Sequence, residues 1–138
     1  TQYADLADDV LTPPPRYFRH ALECVKRSVE YFKSKHVTVV AHLGDVLAAE
    51  NADAGSQWTA LQSFNNARAK LASATWHVAP GACDARCFGA DGIVPALSST
   101  RSPSERTYYA FFPAARWRVL VLDCVDPTGG FSSASAGT

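Results

Sequence analysis

Methionine is absent from these 138 residues. A primary translation product opens on Met, so Thr1 reads as a processed start or as the first residue of a piece of a longer chain. Net charge is absent too: thirteen Lys and Arg balance thirteen Asp and Glu. With no basic field, nothing argues for nucleic acid or a membrane surface as partner. No apolar run nears the ~20 residues that span a bilayer, and the polar, acidic opening TQYADLADD is no signal peptide. Cysteine is scarce. Cys24, Cys83, Cys87 and Cys124 form no Cys-x-x-Cys and stand at no zinc-finger spacing from a His. Cys24 lies in a helical pattern and Cys124 behind an apolar strand, places where small buried thiols are common. Structural thiols of this kind point to a reducing compartment, the cytoplasm. A Ser-His-Asp arrangement and a Gly-rich phosphate loop are also missing.

What is present is an ordinary globular balance, 47% hydrophobic and 19% charged, in one domain's worth of chain. Residues 1 to 15 read as loop, ending in Pro13-Pro14-Pro15. Phe18, Leu22, Val25, Val29 and Phe32 then recur at steps of four and three, predicting an amphipathic helix from about Pro15 to Ser34. VTVVAHL (37–43) is β-branched and too short for a helix, so it reads as a strand buried on both faces. GDVLAAENADAGS follows as a loop or short turn, and Ser56 is a candidate N-cap for a second helix reaching about Thr75. TWHVAP (75–80) reads as a strand. Residues 82–106, scattered with Gly, Pro, Ser and Asp, read as mostly loop with one helical turn around Ile93 to Leu97. TYYAFFP and RWRVLVLDCVD read as two strands paired antiparallel through the PAAR turn. The tail DPTGGFSSASAGT has the composition of a flexible end.

This order predicts an α/β fold with a mainly parallel sheet flanked by helices and an antiparallel pair near the end. Ligands of such sheets bind beyond the carboxyl ends of the strands. Gly44-Asp45, Pro80-Gly81 and Asp123-Cys124 all stand at such ends. Asp45 is therefore the first candidate for a metal-ligating carboxylate.

Five blocks extend this reading: Gln2-Tyr3-Ala4-Asp5, Arg16-Tyr17-Phe18-Arg19, Leu43-Gly44-Asp45 with Asn51, Gly81, and Leu122-Asp123. In that order and spacing they resemble the calcineurin-like metallophosphoesterases, and among them the manganese-dependent ADP-ribose/CDP-alcohol diphosphatases. The resemblance implies half of an αββα sandwich, with residues 1–126 a partial metallophosphoesterase domain and 127–138 a flexible tail. It implies hydrolysis of nucleotide diphosphate conjugates by a Mn²⁺ or Mg²⁺ pair that clamps the attacking and leaving oxygens at phosphorus. Gln2 and Asp45 stand at metal-ligand positions by this resemblance, Asp45 as the bridging carboxylate.

The chain also departs from the family's pattern. The first Asp of the opening block would precede Thr1, and nothing corresponds to the family's second half beyond Asp126. The Gly-Asn-His block reads Gly81-Ala82-Cys83, and Ala48 stands where a second Asp belongs. The expectation is therefore little or no hydrolysis by this chain. The alternatives are a divergent hydrolase completed by segments elsewhere, a non-catalytic pseudo-phosphoesterase that binds a nucleotide or a protein, and a truncated product with an unpaired sheet edge. Cys83 and Asp84 are candidate soft-metal ligands that do not restore a hard dimetal geometry. By period-two alternation His42 shares a face with Val40 and not with Asp45. His42, His77, His20 and His36 read as hydrogen-bonded core or surface groups. Arg16 and Tyr17 are candidates for touching a nucleotide, with a part-buried helix position the equal alternative for Tyr17. Asp123 caps or positions a loop. Oligomeric state is not legible.

Overall fold

The computed structural model describes residues 1–11, 13–97 and 108–123. The tail, Cys124 and the Ser-rich run before Tyr108 lie outside the described residues. The chain forms α1 (Phe18–Ser34), β1 (Val39–His42), α2 (Glu50–Ala54), α3 (Gln57–Ala69), β2 (Thr75–Val78), α4 (Ala82–Leu97), β3 (Tyr109–Phe111) and β4 (Val119–Val121). The fold is mixed α/β. β1 and β2 pair in parallel, Val39 opposite Thr75 and His42 opposite Val78. β3 and β4 form a separate antiparallel pair, with Tyr109 opposite Val121.

The apolar stripe makes α1 a helix and aims it at the core, where Val29 is fully buried and Leu22, Val25 and Phe32 pack against the central cluster. Cys24 falls off that stripe and is exposed, so its expected burial is corrected. Helix α3 lies against α1 and supplies Ala60, Leu61, Phe64 and Ala67 to the interior. Phe64 is the pivot: its ring meets His42 of β1 at 5.6 Å and Trp76 of β2 at 6.3 Å, both edge-on. Burying a side chain of that size contributes about 3–5 kcal/mol against truncation to Ala.

Two expectations are overturned here. Residues 82–97 are helical rather than mostly loop. The break signals are real, but they act locally: the helix is interrupted at Gly89 (φ 66°, ψ −179°) and resumes. Burial of Cys87, Ile93, Ala96 and Leu97 in the core outweighs the poor propensity of its Gly and Pro. The strand β1 is also not buried on both faces. Val40 and His42 face α3, whereas Ala41 is exposed and Leu43, just beyond the strand, is 90% exposed. Among the described residues the parallel sheet has only these two strands, and helices cover one face of β1. On the other face His77 of β2 stacks flat on Phe111 of β3, ring centroids 3.5 Å apart, which seats the β3–β4 hairpin.

Ahead of α1, the amino-terminal segment runs beside the loop that follows β1. Tyr3 forms a parallel bridge with Leu47: Tyr3 N–H donates to Val46 O at 3.1 Å, and Ala48 N–H donates to Tyr3 O at 2.9 Å. Asn51, buried at the start of α2, ties the same two segments by donating its amide to Tyr3 O and Ala48 O, each at 2.9 Å. Its Oδ1 accepts from Ser56 Oγ at 3.0 Å. Ser56 does precede α3, but its hydroxyl serves Asn51 instead of capping that helix. Among the described residues no helix is long and apolar enough to cross a membrane.

Candidate functional site

The carboxyl ends of β1 and β2 meet at two glycines. A Cβ on Gly44, which sits at φ 87°, would lie 2.9 Å from Gly81 N and 3.1 Å from Ala79 O. A Cβ on Gly81 would collide with the backbone nitrogen and carboxylate of Asp45 and lie 2.9 Å from its Cα. Only glycine lets the two loops touch this closely. The consequence is positional: the loop after β1 and the first turn of α4 face each other across Asp45.

Asp45 takes the left-handed conformation at φ 49°, which an Asp tolerates better than most residues. Its side chain turns toward both neighbouring segments. Oδ1 accepts from Cys83 N–H at 3.0 Å, and Oδ2 accepts from the Gln2 side-chain amide at 3.1 Å. Its own carbonyl accepts Gln2 N–H at 2.7 Å. Partial burial pushes the Asp45 carboxyl up, but the hydrogen bonds from Cys83 N–H, the Gln2 amide and the Cys83 thiol outweigh it. The group is held below the usual carboxylate range. Gln2 and Asp45, the two metal-ligand positions named from the sequence, are thus brought together.

Asp84, one turn into α4, is fully buried. Its Oδ1 accepts Leu47 N–H and its Oδ2 accepts Gly81 N–H, both at 3.1 Å. Burial drives its pKa up against hydrogen bonds from the Leu47, Val46 and Gly81 N–H groups, and burial wins. The sequence offered Asp84 only as a spare ligand beside Cys83. The signal that it starts a helix, an acid in a first turn after Gly, was present but masked by the loop-like composition.

The two nearby thiols are protonated at neutral pH. Burial and then the charge and hydrogen bond of Asp45 push Cys83 up, and burial followed by the charge of Asp84 pushes Cys87 up to about 11. His42 sits on the face of β1 that meets Phe64, as its alternation predicts, and burial lowers its pKa to about 4. Its Nε2 meets Thr1 Oγ1. His77 lies on the opposite face against the hairpin. Arg16 pairs with Glu50 and Arg19 with Asp5, while Tyr17 projects into solvent, 57% exposed, rather than lying part-buried. Asp123 follows β4, in the other sheet, and so does not end a strand of the parallel pair that carries Asp45 and Gly81.

Does this donor set fit a pair of hard divalent ions? A dimetal centre needs several oxygen and imidazole donors free to converge. Both Asp45 oxygens already accept hydrogen bonds, and the Gln2 group that reaches Asp45 is its amide nitrogen, a donor. Asp84 is consumed by backbone N–H groups, Cys83 offers a soft sulfur rather than a hard oxygen, and Ala82 offers nothing. Among the described residues no three His, Cys, Asp or Glu side chains are grouped to hold a metal ion. Among the described residues the donor set does not fit a dimetal centre.

A sequence comparison finds similarity to a manganese-dependent ADP-ribose/CDP-alcohol diphosphatase of Oryza sativa subsp. japonica, 28% identical over 127 residues. The match takes in 91% of this chain and 39% of the relative. The chain thus spans well under half the length of the curated relative it matches, and the relation is distant. No protein-family profile matches the chain, and no solved structure matches it.

Proposed function

We propose that this chain is a relative of the dimetal hydrolases of nucleotide diphosphate conjugates, ADP-ribose and CDP-alcohols among them, and that its own residues support little or no such turnover. One observation carries the reading. Gln2 and Asp45 meet at the head of β1, where the resemblance places two metal ligands, yet the carboxylate is already engaged by Gln2 and Cys83. In this reading residues 1–126 are a partial metallophosphoesterase domain. The family's Mn²⁺ or Mg²⁺ pair has no adequate donor set among the residues described. In this reading the protein is cytoplasmic, a compartment where such scattered thiols stay reduced.

The engagement of Asp45 and Asp84 favours a second reading, a non-catalytic pseudo-phosphoesterase that binds a nucleotide or a protein. The test is release of AMP from ADP-ribose in Mn²⁺, with calorimetric titration of ADP-ribose alongside. We expect no release above the rate without protein. Turnover that disappears in Asp45→Ala would overturn the proposal. Saturable heat of binding without AMP release would favour the second reading over an inert chain.

A further inference from the structure

The misfit between Asp45 and a metal centre leaves a positive question: what does a carboxylate do when its oxygens are occupied by protein donors? The contacts around it are reciprocal. From the loop after β1, Asp45 reaches across to the first turn of α4 and accepts Cys83 N–H at 3.0 Å. From that same first turn, Asp84 reaches back and accepts Leu47 N–H of the loop at 3.1 Å. Each segment contributes one carboxylate and one backbone donor to the other. Gln2 adds a third segment, donating its backbone N–H to Asp45 O and its side-chain amide to Asp45 Oδ2.

We propose that Asp45 and Asp84 form a structural cross-stitch that binds the post-β1 loop, the head of α4 and the amino-terminal segment into one unit, with Asp45 serving the fold rather than a metal. Geometry gives each oxygen a specific duty. The close approach of Gly81 to Asp45 seats the loop directly against the helix start, and the part-buried N–H groups of Cys83 and Gly81 take their acceptors from protein. Asp45 supplies one, and Asp84 supplies the others. The first turn of α4 leaves its N–H groups without intrahelical partners, and a carboxylate at a helix start is a favourable acceptor. The left-handed backbone at Asp45 is then a local cost offset by three joined segments. The inference rests on contacts within this chain and does not depend on the proposed function.

A metal-ligating carboxylate and a structural one respond oppositely to removal. Carboxylates kept for a ligand strain the empty fold, so replacing one leaves stability unchanged or raises it. A carboxylate that satisfies backbone donors lowers stability when lost. The experiment is thermal unfolding of the full chain, followed by far-UV circular dichroism in EDTA and again in 1 mM MnCl₂. For wild type, we expect the same midpoint in both. For Asp45→Ala, the midpoint should fall by about 4–10 °C in both conditions. Should that variant fail to fold, Gln2→Ala and Asp45→Asn decide the matter. Asn keeps an acceptor for Cys83 but cannot accept from Gln2 with its amide, so each single variant should lose a few degrees. The double variant should lose little more than Asp45→Asn alone. Additive losses in the pair would overturn the proposal. So would an Asp45 variant as stable as wild type, or a wild-type midpoint raised several degrees by Mn²⁺ and not raised in Asp45→Asn.

Discussion

Asp84→Ala is the sharpest probe of how this fold is held at the head of its sheet. The side chain is wholly buried and accepts Leu47 N–H and Gly81 N–H at 3.1 Å each, with Val46 N–H contributing as well. Val46 and Leu47 are themselves completely buried, so their amides have little access to water once the acceptor is gone. A buried donor left unpaired costs about 1–3 kcal/mol. Two or three of them give roughly 3–6 kcal/mol. Against this stands relief from keeping a carboxylate out of water, the effect that raises its pKa. That relief offsets part of the cost, leaving a net loss of about 2–5 kcal/mol.

A domain of this size has roughly 5–15 kcal/mol in hand, so the variant should fold and be visibly weaker. Urea unfolding measures the loss directly, because the buried indole of Trp76 reports collapse of the core while Trp58 and Trp117 are already exposed. With a slope of about 1–1.5 kcal/mol/M, the midpoint should move down by about 1–5 M. Asp84→Asn separates acceptor chemistry from volume. It keeps the shape but turns one acceptor oxygen into a donor nitrogen facing an N–H, so it should be destabilised nearly as much. The sign with pH also follows. A carboxyl whose folded pKa is raised costs stability above that pKa and recovers it as pH falls through it, and both variants should lose that slope. A change below about 1 kcal/mol in Asp84→Ala would refute the account.

Two further outcomes follow from the same geometry. Gly81→Ala should leave a largely unfolded or strongly shifted protein by circular dichroism, because its Cβ lands on the Asp45 backbone and carboxylate, and neither can retreat without opening the joined loops. Normal melting of that variant would mean that the loops are not in contact. Burial keeps His42 neutral with its pKa near 4, so the stability tied to that depression is fully present above the ordinary value of 6.5 and is lost as pH falls from there toward 4. Replacing His42 with Leu should flatten urea midpoints over that window, where wild type falls by about 2–3 kcal/mol, and an unchanged slope would contradict it.

The parts of this fold that were legible in the sequence are those governed by local periodicity. The stripe from Phe18 to Phe32 specifies α1 because the core needs one helical face, and the β-branched run before His42 has no better conformation than a strand. The face of His42 followed from alternation alone. Gly44-Asp45 was legible as a tight turn at a strand end, because a glycine followed by an acid suits two successive positive-φ positions. What was not legible depends on partners distant in sequence. Whether Gly89 and Pro95 end a helix is settled by the burial of Cys87, Ile93 and Leu97 around them, which no window of sequence contains. Asp84 read as an available carboxylate because its three donors come from residues 46, 47 and 81. The exposure of Ala41 depends on how many strands flank β1, a property of the sheet rather than of the strand.

The positions at which the chain keeps or abandons the metallophosphoesterase pattern sort by what each residue touches. Gly44, Asp45, Asn51 and Gly81 keep it, and each has a backbone duty independent of any metal. The glycines permit loop contact, Asp45 holds Cys83 and Gln2, and Asn51 joins Tyr3 to Ala48. Ala48 and Ala82-Cys83 abandon it. Ala48 is packed in a small apolar cluster with Ala4, Phe18 and Leu6, where an ionised Asp would be desolvated without a partner. Cys83 donates its backbone N–H to Asp45 Oδ1 and carries a soft sulfur where a hard ion wants oxygen or imidazole. By the resemblance, a metal centre would want polar side chains at Ala48 and Ala82, and a polar group at Ala48 would weaken packing already in place. Stability and metal chemistry therefore compete for the same few atoms at the head of β1, and the contacts favour stability.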